Sequence, residues 1–297
     1  MKTMLVLSMG ALLLAGTLSA QTPVPEWQAG VDKVKTLIQS NPAQASEEAG
    51  ELLKGKNKKN VDLVTSVAHV YLDAGKITEA QEYLAMAKKA NNKDPKVSVL
   101  EGDIALAQKN IGQACQLYEQ AIYFDPNCKE AYLKYAQAYK SASPTQAIEK
   151  LEQLKAVDPN CLEADRELAE VYYSGNRFGK AAEMYAKFID TPLATEDDML
   201  KYAFALFLNH DFEKSLQVAQ KGLQKNARHA AFNRLVMYNN TDLKRYEDAE
   251  KAADAFFNAS DRADYSYLDY RYYGALLSAL KKYDKAIIEY GKALDKD

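Results

Sequence analysis

The chain has 297 residues, of which 47% are hydrophobic and 27% charged, proportions that are ordinary for a water-soluble fold. Lys and Arg number 38 against 41 Asp and Glu, and no basic stripe is present. Nucleic-acid binding is therefore disfavoured, because neutralising phosphates requires clustered cationic side chains.

The chain opens with a segment typical of a secretory signal peptide. Lys2 precedes an apolar stretch from Met4 to Leu18 that ends in small residues, and we expect cleavage after Ala20. The stretch is shorter than the ~20 residues that a membrane-spanning helix needs, and an uncleaved anchor is the alternative interpretation. The sequence thus predicts an exported protein that does not span the membrane. The periplasm is favoured, with a secreted or outer-membrane-associated location as alternatives.

Residues 21–60 follow the signal segment and precede a clear repeat. They contain Trp27 and a break at Asn41-Pro42. We interpret them as one degenerate helix pair that caps the N-terminal end of the repeat array.

Residues 61–297 carry two series of mostly small residues at nearly constant intervals. The first series has gaps of 34, 33, 34, 34, 34 and 37 residues and consists of Ala80, Ala114, Ala147, Ala181, Ser215, Ala249 and Ala286. The second precedes the first by 11 or 12 residues and consists of Ala68, Gly102, Ala136, Ala169, Ala203, Met237 and Gly274. A fixed period in the low thirties indicates a stacked helical repeat rather than separate globular domains.

Each unit of the repeat is predicted to form two short amphipathic helices. Apolar positions recur every three to four residues, which is the spacing of one helical face. Small residues allow two helices to cross closely while large neighbours interdigitate around the crossing. Asp-Pro-Asn triplets at 125–127 and 158–160 end one unit and begin the next.

These units resemble the tetratricopeptide repeat family. The third unit carries Tyr132, Ala136, Tyr139, Ala147 and Pro159, and the last carries Gly274, Tyr283, Ala286, Tyr290 and Ala293. The resemblance covers about residues 61–297, and units five and six depart from the pattern at Ser215 and Met237. It implies an all-α fold, a right-handed α-solenoid of stacked antiparallel helix pairs with seven tandem repeats. It also implies a non-enzymatic scaffold that binds a protein or peptide partner, here in a bacterial cell-envelope or outer-membrane-associated complex.

In this family the first helices of successive units line a concave groove. The groove-facing positions of the C-terminal half, with Tyr272 adjacent to one of them, give the candidate partner-binding residues Arg166, Tyr173, Phe204, Phe207, Arg234, Tyr238, Arg271 and Tyr272. Arg can hold a carboxylate in a two-pronged fashion, and aromatic rings add apolar area at low entropic cost. The set therefore suits an extended or helical peptide with acidic and apolar side chains.

Other interpretations of the same residues stay open. The aromatic residues could pack as core, with the Arg side chains paired to Glu170 or Asp197 inside the chain. The groove could instead hold a glycan or peptidoglycan, or the protein could be a structural assembly factor without a groove ligand. Acidic neighbours such as Asp197-Asp198 are interpreted as solvated charges of a first helical turn.

No residue pattern predicts catalysis, a cofactor or a metal site. The three His are scattered, and no catalytic or phosphate-binding motif is found. Cys128 and Cys161 occupy matching positions of adjacent units, farther apart than the ~7 Å that a disulfide allows, so we expect no bond between them. Cys115 is expected to be a small core residue.

The last helix of the array is expected to leave apolar side chains uncovered. These are Ile287, Ile288, Tyr290 and Leu294. We hypothesise that this end docks on a partner or self-associates with a second copy, with a chain that is cut short at Asp297 as the alternative.

Overall fold

The structure, a computed structural model, describes residues 24–261 and 264–296. The predicted signal segment at residues 1–20 lies outside them. All regular structure of the described residues is helical, and none of them is in a strand. The prediction of an all-α fold is therefore confirmed.

Sixteen α-helices follow one another through the described residues. They are α1 (Gln28–Ser40), α2 (Pro42–Leu52), α3 (Val61–Asp73), α4 (Ile77–Asn91), α5 (Pro95–Ala107), α6 (Ile111–Phe124), α7 (Lys129–Tyr139), α8 (Pro144–Val157), α9 (Leu162–Ser174), α10 (Phe178–Phe188), α11 (Glu196–Leu208), α12 (Phe212–Lys225), α13 (Ala230–Asp242), α14 (Tyr246–Asp254), α15 (Tyr267–Ala279) and α16 (Tyr283–Leu294). A short 3₁₀ helix at Gly55–Lys59 and a π-helical turn at Ala255–Ala259 complete the order.

Consecutive helices pack as antiparallel pairs, and the pairs stack into an α-solenoid. Each odd-numbered helix contacts the even-numbered helix that follows it, through a short connection. The odd-numbered helices of neighbouring pairs also contact one another, with α9 and α11 as a weaker junction, whereas successive even-numbered helices make at most marginal contacts. The odd-numbered helices therefore lie on the inner side of the curve and the even-numbered helices on the outer side.

The two series of small residues lie at the crossings within the pairs. All fourteen of their members are buried. A Cβ atom added to Gly102 would lie 2.5 Å from Cε1 of Tyr118, and one added to Gly274 would lie 2.8 Å from Cε1 of Tyr290. Each glycine thus admits the aromatic ring of its partner helix, which could not approach so closely past a side chain.

The fifth unit keeps its packing although Ser215 replaces alanine. The Ser215 hydroxyl donates to the Ala203 carbonyl at 2.8 Å and accepts from the Asn239 amide nitrogen at 2.8 Å. Because both partners are buried, the hydroxyl is satisfied without water.

A third regularity lies in the turn that joins the two helices of most pairs. Lys109, Asn176, His210, Lys244 and Lys281 have left-handed backbone, with φ between 56° and 63°, and Gly75 has φ 74° at the matching place. The next amide closes the turn on the preceding helix, as Asn110 N does on Ala105 O at 2.9 Å. Only one of these positions is glycine, so the sequence does not reveal them.

Replacing Gly102 with valine is expected to destabilise the solenoid by about 2 kcal/mol or more, because the added carbons overlap Tyr118. Urea unfolding followed by circular dichroism measures the effect. The matched control is Gly291→Ala in α16, where nothing lies within 4 Å of an added Cβ. That change should stabilise by about 1 kcal/mol through helix propensity alone. Equal effects of the two changes would contradict close crossing at Gly102.

Candidate partner-binding groove

The inner surface of the C-terminal half carries a ladder of aromatic rings across three first helices. Phe207 of α11 lies 5.6 Å from Tyr238 of α13, and Tyr238 stacks on Tyr272 of α15 at 4.0 Å between ring centroids. Phe207 and Tyr238 are 8% and 2% exposed, whereas Tyr272 and Phe204 are half-buried. Phe207 and Tyr238 therefore lie beneath the groove surface, and Tyr272 and Phe204 form that surface.

Tyr173 of α9 is not part of this ladder. Its ring packs edge-on against Phe178 of its own pair at 5.7 Å, and no ring contact joins it to α11 within the described residues. Ring contacts therefore join three of the five predicted groove aromatics, Phe207, Tyr238 and Tyr272. Phe204 packs against the same core cluster, and Tyr173 lies one pair away.

Arg234 is held by a buried carboxylate of the next first helix. Its Nε donates to Oδ1 of Asp269 at 2.7 Å, and its Nη2 donates to Oδ2 at 3.1 Å and to the Asp264 carbonyl at 2.9 Å. Asp269 is 0% exposed and also accepts from the Tyr238 hydroxyl at 2.8 Å. The guanidinium lies 5.1 Å from the centroid of the Phe256 ring. Its charge is thus already compensated inside the chain.

Arg166 repeats this arrangement two pairs earlier. Its Nε donates to Oδ1 of Asp198 at 3.0 Å, and its Nη2 lies 3.0 Å from Oδ2 of the same carboxylate. The interpretation of Asp198 as a solvated charge is wrong, because its side chain is only 1% exposed. Asp197 is exposed and pairs with Lys201, which also holds Glu170. The intrachain partner of Arg166 is therefore Asp198, not Glu170 or Asp197.

Asp198 and Asp269 each also close a capping box. Thr195 and Ser266 are the N-caps of α11 and α15, and each accepts from the amide of the Asp three residues on. The carboxylates accept in return from the backbone amides of the caps, at 2.8 and 2.7 Å. The Ser/Thr-x-x-Asp spacing in the sequence was the signal that could have revealed these two residues.

Arg271 differs from the other two groove arginines. It is exposed, and no carboxylate lies within ion-pair distance of it among the described residues. Its guanidinium carbon lies 5.8 Å from the centroid of Tyr272 and 6.0 Å from that of Tyr267. Among the described residues, a cation without a carboxylate partner thus lies beside the half-buried ring of Tyr272.

The N-terminal half of the groove has a polar network in place of the rings. Asp103 of α5 accepts from the Tyr118 hydroxyl at 2.8 Å and contacts His69 Nε2 at 2.9 Å and Lys134 Nζ at 3.0 Å. Burial lowers the pKa of His69, but the hydrogen bond and charge of Asp103 outweigh burial and raise that pKa above 6.5. Burial raises the pKa of Asp103, but His69 and Lys134 outweigh it and lower that pKa below 3.8.

The described residues show no group of three or more His, Cys, Asp or Glu side chains arranged to hold a metal ion. The three cysteines are free thiols, and burial raises the pKa of Cys115 to about 11. No described helix combines the length and apolar character needed to cross a bilayer.

Replacing Asp269 with alanine is expected to destabilise the protein by about 3 kcal/mol or more, because it leaves Arg234 and Tyr238 unpaired and opens the capping box. Asp264→Ala is the control, since only the backbone carbonyl of Asp264 contacts Arg234; its effect should stay within about 0.5 kcal/mol. Chemical denaturation measures both. The double change Asp269→Ala with Arg234→Met should regain part of the loss. A loss below about 1 kcal/mol for Asp269→Ala alone would show that the carboxylate does not join the two pairs.

The His69–Asp103 contact should make stability depend on pH. Below the unfolded pKa of about 6.5, His69 is protonated in both states and the ion pair contributes fully; the contribution is lost as pH rises through the raised folded pKa. The stability difference between wild type and His69→Asn should therefore be larger at about pH 5.5 than at about pH 8.5. Urea titrations of both proteins at the two pH values test this. A difference that is independent of pH would contradict a charged contact.

The comparisons with known proteins agree with this architecture. The tetratricopeptide repeat family model matches residues 68–127 and 136–193. No curated protein matches the chain as a relative.

Several solved structures share the fold. The C-terminal part of a TPR repeat-containing protein from Cytophaga hutchinsonii aligns with a TM-score of 0.58 at 16% identity, covering 87% of this chain and 98% of that one. PilF of Pseudomonas aeruginosa aligns with a TM-score of 0.55 at 15% identity, covering 75% and 99%. PilW, a type IV pilus biogenesis factor, aligns with a TM-score of 0.53 at 17% identity, covering 67% and 92%. At these identities the likeness shows the fold alone.

Proposed function

From the match of residues 68–127 and 136–193 to the tetratricopeptide repeat family model, we propose that the chain is a scaffold that binds a segment of a partner protein. The binding surface is the groove formed by α11, α13 and α15. The observation that carries the proposal is Arg271, an exposed cation without a carboxylate partner among the described residues, beside the half-buried ring of Tyr272. Because Arg271 supplies a positive charge and Tyr272 an apolar ring surface, the pair favours a ligand with both an anionic group and an apolar side chain.

The chemistry of the groove narrows the partner segment to one that is acidic and apolar. Arg166 and Arg234 are neutralised by Asp198 and Asp269, so the acidic group of the ligand is held by Arg271. The apolar side chains of the ligand lie against Phe204 and Tyr272. Phe207 and Tyr238 act beneath them by fixing the position of the exposed rings.

We further propose that the scaffold works outside the cytoplasm, in a complex of the cell envelope. This part of the proposal rests on the signal-like segment at residues 1–20. One solved structure of the same fold is described as a type IV pilus biogenesis factor, which is a role of this kind.

Site-specific photo-crosslinking in cells tests the groove. A photoreactive residue at Ala275, exposed on α15, should capture one recurrent protein, whereas the same residue at Tyr123, 82% exposed on outer helix α6, should not. Arg271→Glu should weaken capture about tenfold or more, because a charge-assisted hydrogen bond is replaced by repulsion. Lys285→Glu, an equal charge reversal on α16, should leave capture unchanged.

Three outcomes would contradict the proposal. They are equal capture at both positions, capture that is insensitive to Arg271→Glu, and recovery of cell-wall glycan in place of protein. The last result would favour a glycan-binding groove. Retention of the helical circular dichroism spectrum in each variant excludes unfolding as the cause of a loss.

A further inference from the structure

Two positions vary together at the junctions between consecutive units of the repeat. One lies three residues before the small residue of a first helix, and the other lies five residues before the small residue of the next first helix. Where the earlier residue is Arg, the later one is Asp; these junctions are Arg166/Asp198 and Arg234/Asp269. Where the earlier residue is not Arg, the later one is apolar; these junctions are Thr65/Val97, Val99/Ala131, Leu133/Ala164 and Leu200/Phe232.

The ion pairs between units explain this pattern. At both charged junctions the carboxylate belongs to a capping box at the start of the next first helix. Nε of the arginine donates to Oδ1 of that carboxylate, at 3.0 Å for Arg166 and 2.7 Å for Arg234. An Arg at this position therefore indicates that the first helix packed next to it begins with Ser/Thr-x-x-Asp.

Arg271 occupies the same position in the last unit, three residues before Gly274 on α15. It is exposed, and no carboxylate lies within ion-pair distance of it among the described residues. The arginine is thus placed to receive the capping-box Asp of a further helix.

The neighbouring helix α16 presents an apolar surface for such a helix. Ile287 and Leu294 are 69% and 75% exposed. At the position of Leu294 the sixth unit has Phe257, which stacks on Tyr273 of the next first helix at 5.0 Å between ring centroids. At the position of Ile287 the fifth unit has Leu216, which is 5% exposed. The last unit therefore has apolar side chains at the positions by which other units receive a first helix.

A second copy of the chain does not match this end. Its two Ser/Thr-x-x-Asp sequences begin α11 and α15 and already bind Arg166 and Arg234. The opposite end of the array is polar, since the exposed residues of α1 are Ala29, Asp32, Lys33, Lys35, Thr36, Gln39 and Ser40. Stacking the two ends would cover Ile287 and Leu294 with polar side chains, which favours a different protein as the occupant.

We propose that the end formed by α15 and α16 binds an α-helix of a partner protein that begins with Ser/Thr-x-x-Asp and has an apolar face. The Asp accepts from the guanidinium of Arg271, and the apolar face covers Ile287 and Leu294. The bound helix runs antiparallel to α16, as the first helices of the array run relative to the second helices before them. It supplies the acidic group that Arg271 holds under the proposed function, so the two proposals share that residue.

Fluorescence anisotropy with the full chain tests the proposal. The probe is a labelled peptide of residues 264–280, which contains the capping box and the whole of α15. The peptide should bind, and the same peptide with Asp269→Asn, which loses the charge but keeps an acceptor, should bind about tenfold more weakly. In the full chain, Arg271→Glu should weaken binding of the unmodified peptide about tenfold or more.

A matched pair of variants locates the binding surface. Ile287→Glu should abolish binding of the peptide, whereas Ile288→Glu should leave it unchanged. Ile288 is 58% exposed, but it lies about 100° around the helix from Ile287, at a position that is Glu, Gln or Lys in the other six units. Because both residues are exposed, both variants should keep the helical circular dichroism spectrum.

Equal effects of Ile287→Glu and Ile288→Glu would overturn the proposal. A loss on Arg271→Glu without a loss on Ile287→Glu would also overturn it, while leaving the groove as the binding surface. A peptide that fails to bind, or that binds regardless of Arg271→Glu, would overturn it as well, and capture at Ala275 would still decide on the groove. A dimer that sedimentation detects and Ile287→Glu dissociates would assign the end to a second copy instead.

Discussion

The close crossing of two helices at a small residue is the constraint from which the other features of this solenoid follow. Where Gly102 meets Tyr118, no side chain larger than hydrogen fits on the first helix, so the ring fixes the distance between the two helices. The same crossing recurs where Gly274 meets Tyr290. Since the first helices of neighbouring pairs also contact one another more than the second helices do, the array curves and leaves the first helices on its inner side.

Neighbouring helix pairs are held together by ion pairs as well as by apolar contacts. Buried Asp198 and Asp269 each cap the helix on which they lie and also bind an arginine of an earlier pair. One carboxylate thus fixes where a helix begins and how its pair meets another, and removal of either partner would leave an uncompensated charge. The arrangement compensates the charges of Arg166 and Arg234, and among the described residues Arg271 is the groove arginine without a carboxylate partner.

The sixth unit departs most from the repeat. Met237 fills a small-residue position at 0% exposure, and Asn239 satisfies Ser215 in the pair before it. Asn240 stands where the other units have Ala, Leu or Tyr, and it lines a cavity. Repeat proteins gain stability from the interfaces between uniform neighbouring units, so polar exceptions in the core lower the stability of the array. Such a loss of stability is typical of positions that serve a function. Such exceptions, more than the regular positions, are where a repeat protein differs from others of its fold.

The sequence by itself determined the helical class, the pairing of helices and the crossing points, because a period of about 34 residues and the small-residue positions depend only on local order along the chain. It also placed Phe207, Tyr238 and Tyr272 on first helices, where their rings meet. It did not determine which charges pair: Asp198 and Asp197 are neighbours in sequence, yet one is buried and the other solvated. Their environments differ because burial and the approach of Arg166, 32 residues away, arise only when the pairs stack. The tertiary structure likewise decided that Arg271 has no carboxylate partner among the described residues and that Asn240 lines a cavity, since both depend on which side chains neighbouring pairs bring to that point.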